Sequence, residues 1–142
     1  MMAGITGKNT KPEIFVRQLL HRMGYRFRLH RKDLPGKPDI FLPKFCVAIF
    51  VQGCFWHGHE DCHLFRIPKT RVDFWRAKIS SNQERDSRVR NELIQTEFRV
   101  LDVWECSLRG KTALDTEALS KKIEQFIVDP SHTYHEIRGC ND

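Results

Sequence analysis

The residues with the most chemical potential lie close together. Cys54-x4-His59-x2-Cys62 packs three soft or borderline ligands into one short loop, and Cys106 follows an apolar run ending at Trp104. Four Cys/His donors suit tetrahedral zinc, and a site closed by four protein ligands keeps no open position for catalysis. The expected role is structural: the metal holds a loop with too few apolar residues to hold itself. His63 is an alternative to His59 as the fourth ligand, and Cys46, on an apolar run, reads as a core thiol. His57 is out of step with the ligands, so its imidazole is free to take a proton near neutral pH and is a candidate general base.

Asp39 follows Pro38 at the end of a turn and opens a strand, a position that projects a carboxylate from a rigid edge. Mg²⁺ needs few protein carboxylates, because it keeps waters and takes other oxygens from substrate phosphates. Asp39 is therefore a candidate anchor for Mg²⁺, although a plain turn residue would read the same way locally. Glu13 and Asp86 each stand in the expected first turn of a helix yet in line with its apolar stripe, so both should point inward. There they could orient a base or hold metal-bound waters; capping and dipole complementation would also account for them.

The elements that must position these groups follow from local pattern. Thr10 to Glu13 is a T-x-x-E capping box with Pro12 in the first turn, and Val16, Leu19, Leu20 and Met23 follow at helical spacing. That helix should end near Gly24, with a strand over residues 25–29. Asp33-Leu34-Pro35-Gly36-Lys37-Pro38 reads as a turn, and residues 40–42 and 45–51 as a strand pair. A helix is expected over residues 71–79. A second one opens at a Ser81 to Glu84 capping box, with Asp86, Val89 and Leu93 as its stripe. Residues 99–104 form an apolar strand, and Asp115 caps a last helix that turns Leu119, Ile123, Phe126 and Ile127 inward. Helices before and after a short sheet give an α/β or α+β sandwich. The expectation is one domain over residues 1–128 and a flexible tail over residues 129–142.

Composition narrows the partners. Among 142 residues, 24 Lys and Arg against 18 Asp and Glu leave a net charge of +6, which favours a polyanion. No stretch approaches the roughly 18 apolar residues of a membrane span, and residues 1–10 lack the apolar region of a secretory signal. A cytoplasmic location without a membrane partner is expected. Five cysteines, an odd number, argue against a disulfide framework and for metal binding or burial. Phe55 and Trp56 interrupt the Cys/His loop and Trp75 follows it, where large rings could wedge into a stack of bases or pack around the metal. Lys69, Arg71, Arg76, Lys78, Arg85, Arg88 and Arg90 could meet phosphates.

Four motifs converge on a known pattern: Gly7-Lys8-Asn9-Thr10-Lys11-Pro12-Glu13, Leu34-Pro35-Gly36-Lys37-Pro38-Asp39-Ile40, Gly53-Cys54-Phe55-Trp56-His57-Gly58-His59 and Val103-Trp104-Glu105-Cys106. In order and spacing they resemble the very short patch repair (Vsr) mismatch endonucleases, from about Gly7 through Val128. The resemblance implies a restriction-endonuclease-like fold, a central mixed sheet flanked by helices with a structural zinc site. It also implies a bacterial, nucleoid-associated monomer that nicks double-stranded DNA beside a T:G mismatch left by deaminated 5-methylcytosine, with other repair proteins as further partners. Position by position, it makes Asp39 and the backbone carbonyl of Val51 the Mg²⁺ ligands, His57 the general base and Asp86 the residue that orients it. It puts Glu13 near the metal waters and makes Cys54, His59, Cys62 and Cys106 the Zn²⁺ ligands. Phe55, Trp56 and Trp75 become the rings that enter the duplex. Two features differ from some members: Gln52 stands where a His can face the scissile phosphate, and the segment before Gly7 is shorter than an N-terminal arm laid on DNA.

Two other functions fit part of this pattern. A restriction-type endonuclease would cut an unmismatched site, and a zinc-stabilised DNA-binding module would do no chemistry, leaving Asp39 and His57 structural. A hydrolase that uses zinc alone is disfavoured, because each ligand set closes the metal.

Overall fold

The computed structural model describes residues 9–139; Gly7, Lys8 and the segment before them, like Cys140 and the two residues after it, lie outside the described residues. Thr10 caps the first helix, α1 (Lys11–Arg22), its hydroxyl accepting from the Glu13 N–H at 3.3 Å. Val16, Leu19 and Leu20 form the buried stripe. The chain then passes through β1 (Arg28–Leu29) into a hairpin of β2 (Ile40–Leu42) and β3 (Val47–Gln52), paired antiparallel with Ile40 opposite Ile49. A long helix, α2 (Val72–Gln95), returns it to β4 (Arg99–Trp104), parallel to β3. After a 3-10 turn at Glu105–Ser107, α3 (Thr116–Val128) leads to β5 (Tyr134–Ile137), parallel to β4. The sheet order is β1-β2-β3-β4-β5.

Because side chains alternate along a strand, each face of this sheet needs its own cover. Ile40, Leu42, Val47, Ile49, Leu101 and Val103 meet the stripes of α1 and α3. Phe41, Ala48 and Val100 face the other way, onto Leu93 and Val89 of α2. The result is a three-layer α/β arrangement with a mixed sheet. No helix among the described residues is long and apolar enough to cross a membrane.

Four local expectations are corrected. The helices expected on either side of Ser80-Ser81 are one, α2, so Asp86 sits mid-helix and not in a first turn. Serine weakens a helix without breaking it. The apolar period lapses there because inward positions carry Asn82, which bonds the loop at Trp56, and Asp86, which lines a cleft. The expected tail contains β5: Val100 to Val103 pair with Tyr134 to Ile137, and Ile137 is buried. Four residues with one buried apolar side chain carry too little pattern to read as a strand. The strand expected over residues 25–29 is only Arg28–Leu29, and both residues are exposed. Cys46 is not a core thiol; it is exposed in the hairpin turn at φ 54°, its carbonyl accepting from the Arg99 N–H at 2.8 Å.

Removing β5 should therefore be costly. A chain ending at Val128 loses the burial of Ile137, about 1.5–3 kcal/mol for one such side chain, and the outer ladder of β4. Urea unfolding should show a lower midpoint than the full chain, whereas an unchanged midpoint would mean that residues 129–142 are a dispensable tail.

Candidate active site

Both the hairpin and α2 bring chemistry to the carboxyl end of the parallel strands, the usual place for a site in an α/β sheet. β2 begins only at Ile40, opposite Ile49, so β3 runs on for three residues without a partner on that side. Asp39 fills the gap: its Oδ2 accepts from the Val51 N–H at 2.8 Å. This bond fixes the carboxylate at the mouth of a cleft of about 460 Å³ lined by Asp39, Val51, Gln52, His57, Asp86 and Arg90, among others. Gly36 closes one wall. Its φ is +72°, and a Cβ there would lie 2.3 Å from Val89 of α2, so only glycine lets the turn approach the helix this closely.

Glu13, 2% exposed, reaches the same place from α1. It accepts from the Asn9 N–H at 3.2 Å and pairs with His30 Nε2. Donor atoms of Glu13, His30 and Asp39 lie within 4.8 Å of one another, a set able to hold a metal ion. Burial pushes the Asp39 carboxyl up to about 7; the Val51 N–H works against the rise, and the Glu13 and Asp102 carboxylates add to it. A carboxylate this buried, with like charge beside it, is one that a cation would relieve.

Across the cleft, His57 Nδ1–H donates to Asp86 Oδ2 at 2.5 Å. With Nδ1 committed to the carboxylate, Nε2 is the nitrogen left to accept a proton. The loop carrying His57 is held on α2 by polar contacts: Asn82 donates to the Trp56 carbonyl at 2.8 Å, and Gln83 to the carbonyls of His57 and Gly58.

Behind His57 the loop is tied again. Donor atoms of Cys54, His59, Cys62 and Cys106 all lie within 4.8 Å of one another, with His59 Nδ1 at 3.5 Å from Cys54 Sγ and 3.6 Å from Cys106 Sγ. His63 is exposed and lies outside the group. Burial pushes both Cys54 and Cys106 thiols up, so a cation is needed to hold them as thiolates. Burial and the Arg138 guanidinium bring His59 down to about 4, which keeps the imidazole neutral. Its ring stacks on Trp104 at 3.8 Å and 4°. The Gly139 N–H donates to Cys106 Sγ at 3.2 Å, so the segment after β5 supports the cluster. This donor set fits a metal ion.

Phe55, Trp56 and Trp75 form one cluster, with centroids 5.3 Å apart for Phe55 with each tryptophan and 5.8 Å between the tryptophans. All three are partly exposed, and Phe74, 45% exposed, extends the patch under the Arg71 guanidinium.

The family model described as "DNA mismatch endonuclease Vsr" matches residues 1–64. The DNA mismatch endonuclease Vsr of Escherichia coli is 43% identical over 126 residues, 89% of this chain and 80% of that protein. The chain belongs to the Vsr family of DNA mismatch endonucleases. It is thus a DNA endonuclease. Two proteins named type II nicking enzymes are also similar: V.XorIIP of Xanthomonas oryzae, 48% identical over 131 residues (92% and 91% of the two chains), and V.NmeAIP of Neisseria meningitidis, 43% identical over 126 residues (89% of each).

Every site residue expected of this Vsr-family chain is in one of three groups: the cleft, the four-donor cluster or the aromatic patch. His30, Asp102 and Tyr134 were not foreseen. Asp102 had a signal, a lone charge inside the apolar run Arg99–Trp104, since buried carboxylates are rare without a partner or a task. His30 and Tyr134 had none, because each acquires meaning only from strands paired across the sheet.

Asn82→Ala removes the side chain that anchors the loop at Trp56 and leaves a part-buried carbonyl without that donor. It should cost about 0.5–1.5 kcal/mol, read as a lowered urea midpoint; an unchanged midpoint would mean that the loop is held elsewhere.

Proposed function

We propose that this chain nicks one strand of duplex DNA beside a T:G mismatch produced by deamination of 5-methylcytosine, opening very short patch repair as a cytoplasmic monomer on a restriction-endonuclease-like fold. The observation that carries this reading is that Asp39 and the Asp86-bound His57 line one cleft in a basic chain.

In this reading the Asp39 carboxylate and the Val51 carbonyl would hold Mg²⁺, with Glu13 close by. When bound there, it would supply positive charge against the negative charge that grows on the phosphate. His57 Nε2 takes a proton from the attacking water as the new O–P bond forms and the bond from phosphorus to the leaving sugar oxygen breaks. Asp86 fixes the imidazole in the tautomer this requires and stabilises the imidazolium that results. Zn²⁺ on Cys54, His59, Cys62 and Cys106 has a structural part, because four protein donors leave it no free position. Bound there, it would help to keep His57 where α2 can hold it. Phe55, Trp56 and Trp75 enter the duplex at the mismatch, where a wobble pair is easier to open than a matched one.

The test is strand-resolved cleavage of a T:G duplex and its C:G counterpart with Mg²⁺. The T:G duplex should be nicked on one strand; equal cutting of both would indicate a restriction-type activity, and no cutting a binding module. Asp39→Asn and His57→Ala should each lower nicking by about 10²–10⁴-fold with thermal melting unchanged, and a wild-type rate in either would refute its role. Cys62→Ser should lose bound zinc and melting temperature together. Full activity at zero zinc would contradict the structural assignment.

A further inference from the structure

Arg90 lies one helical turn beyond Asp86, so this guanidinium and the carboxylate that holds His57 share the face of α2 turned to the cleft. Two groups fix its direction. It lies over the Tyr134 ring at 4.4 Å, and its Nη1 is 3.8 Å from Asp102 Oδ2. The Asp102 carboxylate is 5% exposed and already engaged at short range: Oδ1 accepts from Gln52 Nε2 at 3.2 Å and Oδ2 from the Tyr134 hydroxyl at 2.8 Å. The ion pair with Arg90 is therefore long and one-sided, not the bidentate fork that would occupy the guanidinium. Among the described residues Arg90 donates no hydrogen bond at normal length. Its planar donors are aimed and unspent, beside the cleft that holds Asp39 and His57.

Such a group matches a phosphate oxygen in geometry and charge. Resting on the nicking reading above, we propose that Arg90 is a catalytic residue that contacts the scissile phosphodiester and takes up the negative charge developing on it, with Asp102 and Tyr134 as its positioning residues. β5 thereby contributes to the site, since Tyr134 supplies both the ring under the guanidinium and a hydrogen bond to its counterion. A guanidinium serving only to neutralise Asp102 would have no reason to keep its donors free.

The test is single-turnover nicking of the T:G duplex with Mg²⁺ by the full chain, with duplex affinity and thermal melting measured in parallel. Arg90→Gln should lower the rate at saturating protein about 100-fold, the usual loss of one donor to developing charge, with duplex affinity close to wild type. Arg90→Lys keeps a charge opposite Asp102 but not the fork, and should recover only a small part. Tyr134→Ala should lower the same rate, and Tyr134→Phe, which keeps the ring, should restore most of it. A wild-type rate in Arg90→Gln, an effect confined to affinity, or full rescue by Arg90→Lys or by the Asp102→Asn/Arg90→Gln pair would each overturn the proposal. A wild-type chain that fails to nick would instead overturn the nicking reading on which it rests.

Discussion

Everything at the cleft depends on how the stretch between β3 and α2 is held. It is long, without regular structure, and has no periodic apolar residues of its own, so burial alone does not order it. Four donors gathered from two places meet behind it, a set that could hold a metal ion: Cys54, His59 and Cys62 within the stretch, and Cys106 just past β4. Because β3 and β4 are adjacent and parallel, their carboxyl ends present the two halves of the cluster side by side. The Trp104 ring against His59 and the Gly139 N–H on Cys106 complete the surround. On its other side the contacts of Asn82, Gln83 and Asp86 set His57 on the cleft wall.

The second constraint is electrostatic. Asp39, Glu13 and Asp102 bring three carboxylates into neighbouring, largely buried positions, and burial holds Asp102 near 6 and Asp39 near 7. Each is answered differently. Among the described residues Glu13 takes His30 and the Asn9 N–H, Asp102 takes Gln52, Tyr134 and Arg90, and Asp39 takes one backbone N–H, that of Val51. The least compensated of the three is the one at the cleft mouth. Uncompensated buried charge destabilises a fold, and its persistence at one position is the usual mark of a group kept for a ligand.

Legibility in the sequence followed the range of the interactions. Thr10, Asp115 and the stripes of α1 and α3 act within a turn or two, and they read directly. The hairpin of β2 and β3 read from its two apolar runs. The unbroken α2 did not, because its inward face turns polar where it meets the site, and the same change of face hid Asp86 in the middle of a helix. β5 was invisible for a different reason, since its order comes from pairing with β4. The four-donor cluster was legible because Cys and His at such short spacing are not what packing alone selects. Bringing Asp39 and His57 to one cleft required the topology, and before that only the family resemblance implied it. His30 and the Asp102–Tyr134 pair join strands distant in sequence, and no local rule reaches them.

The central claim is that a divalent cation on Asp39 sits beside the imidazole of His57. It is tested most directly by titrating the zinc-loaded chain with Mn²⁺ in place of Mg²⁺ while following the histidine ring signals by NMR. The His57 resonances should broaden at the lowest Mn²⁺ concentrations, and Asp39→Asn should abolish that broadening. His57 signals that stay sharp, or that broaden equally in Asp39→Asn, would contradict the account.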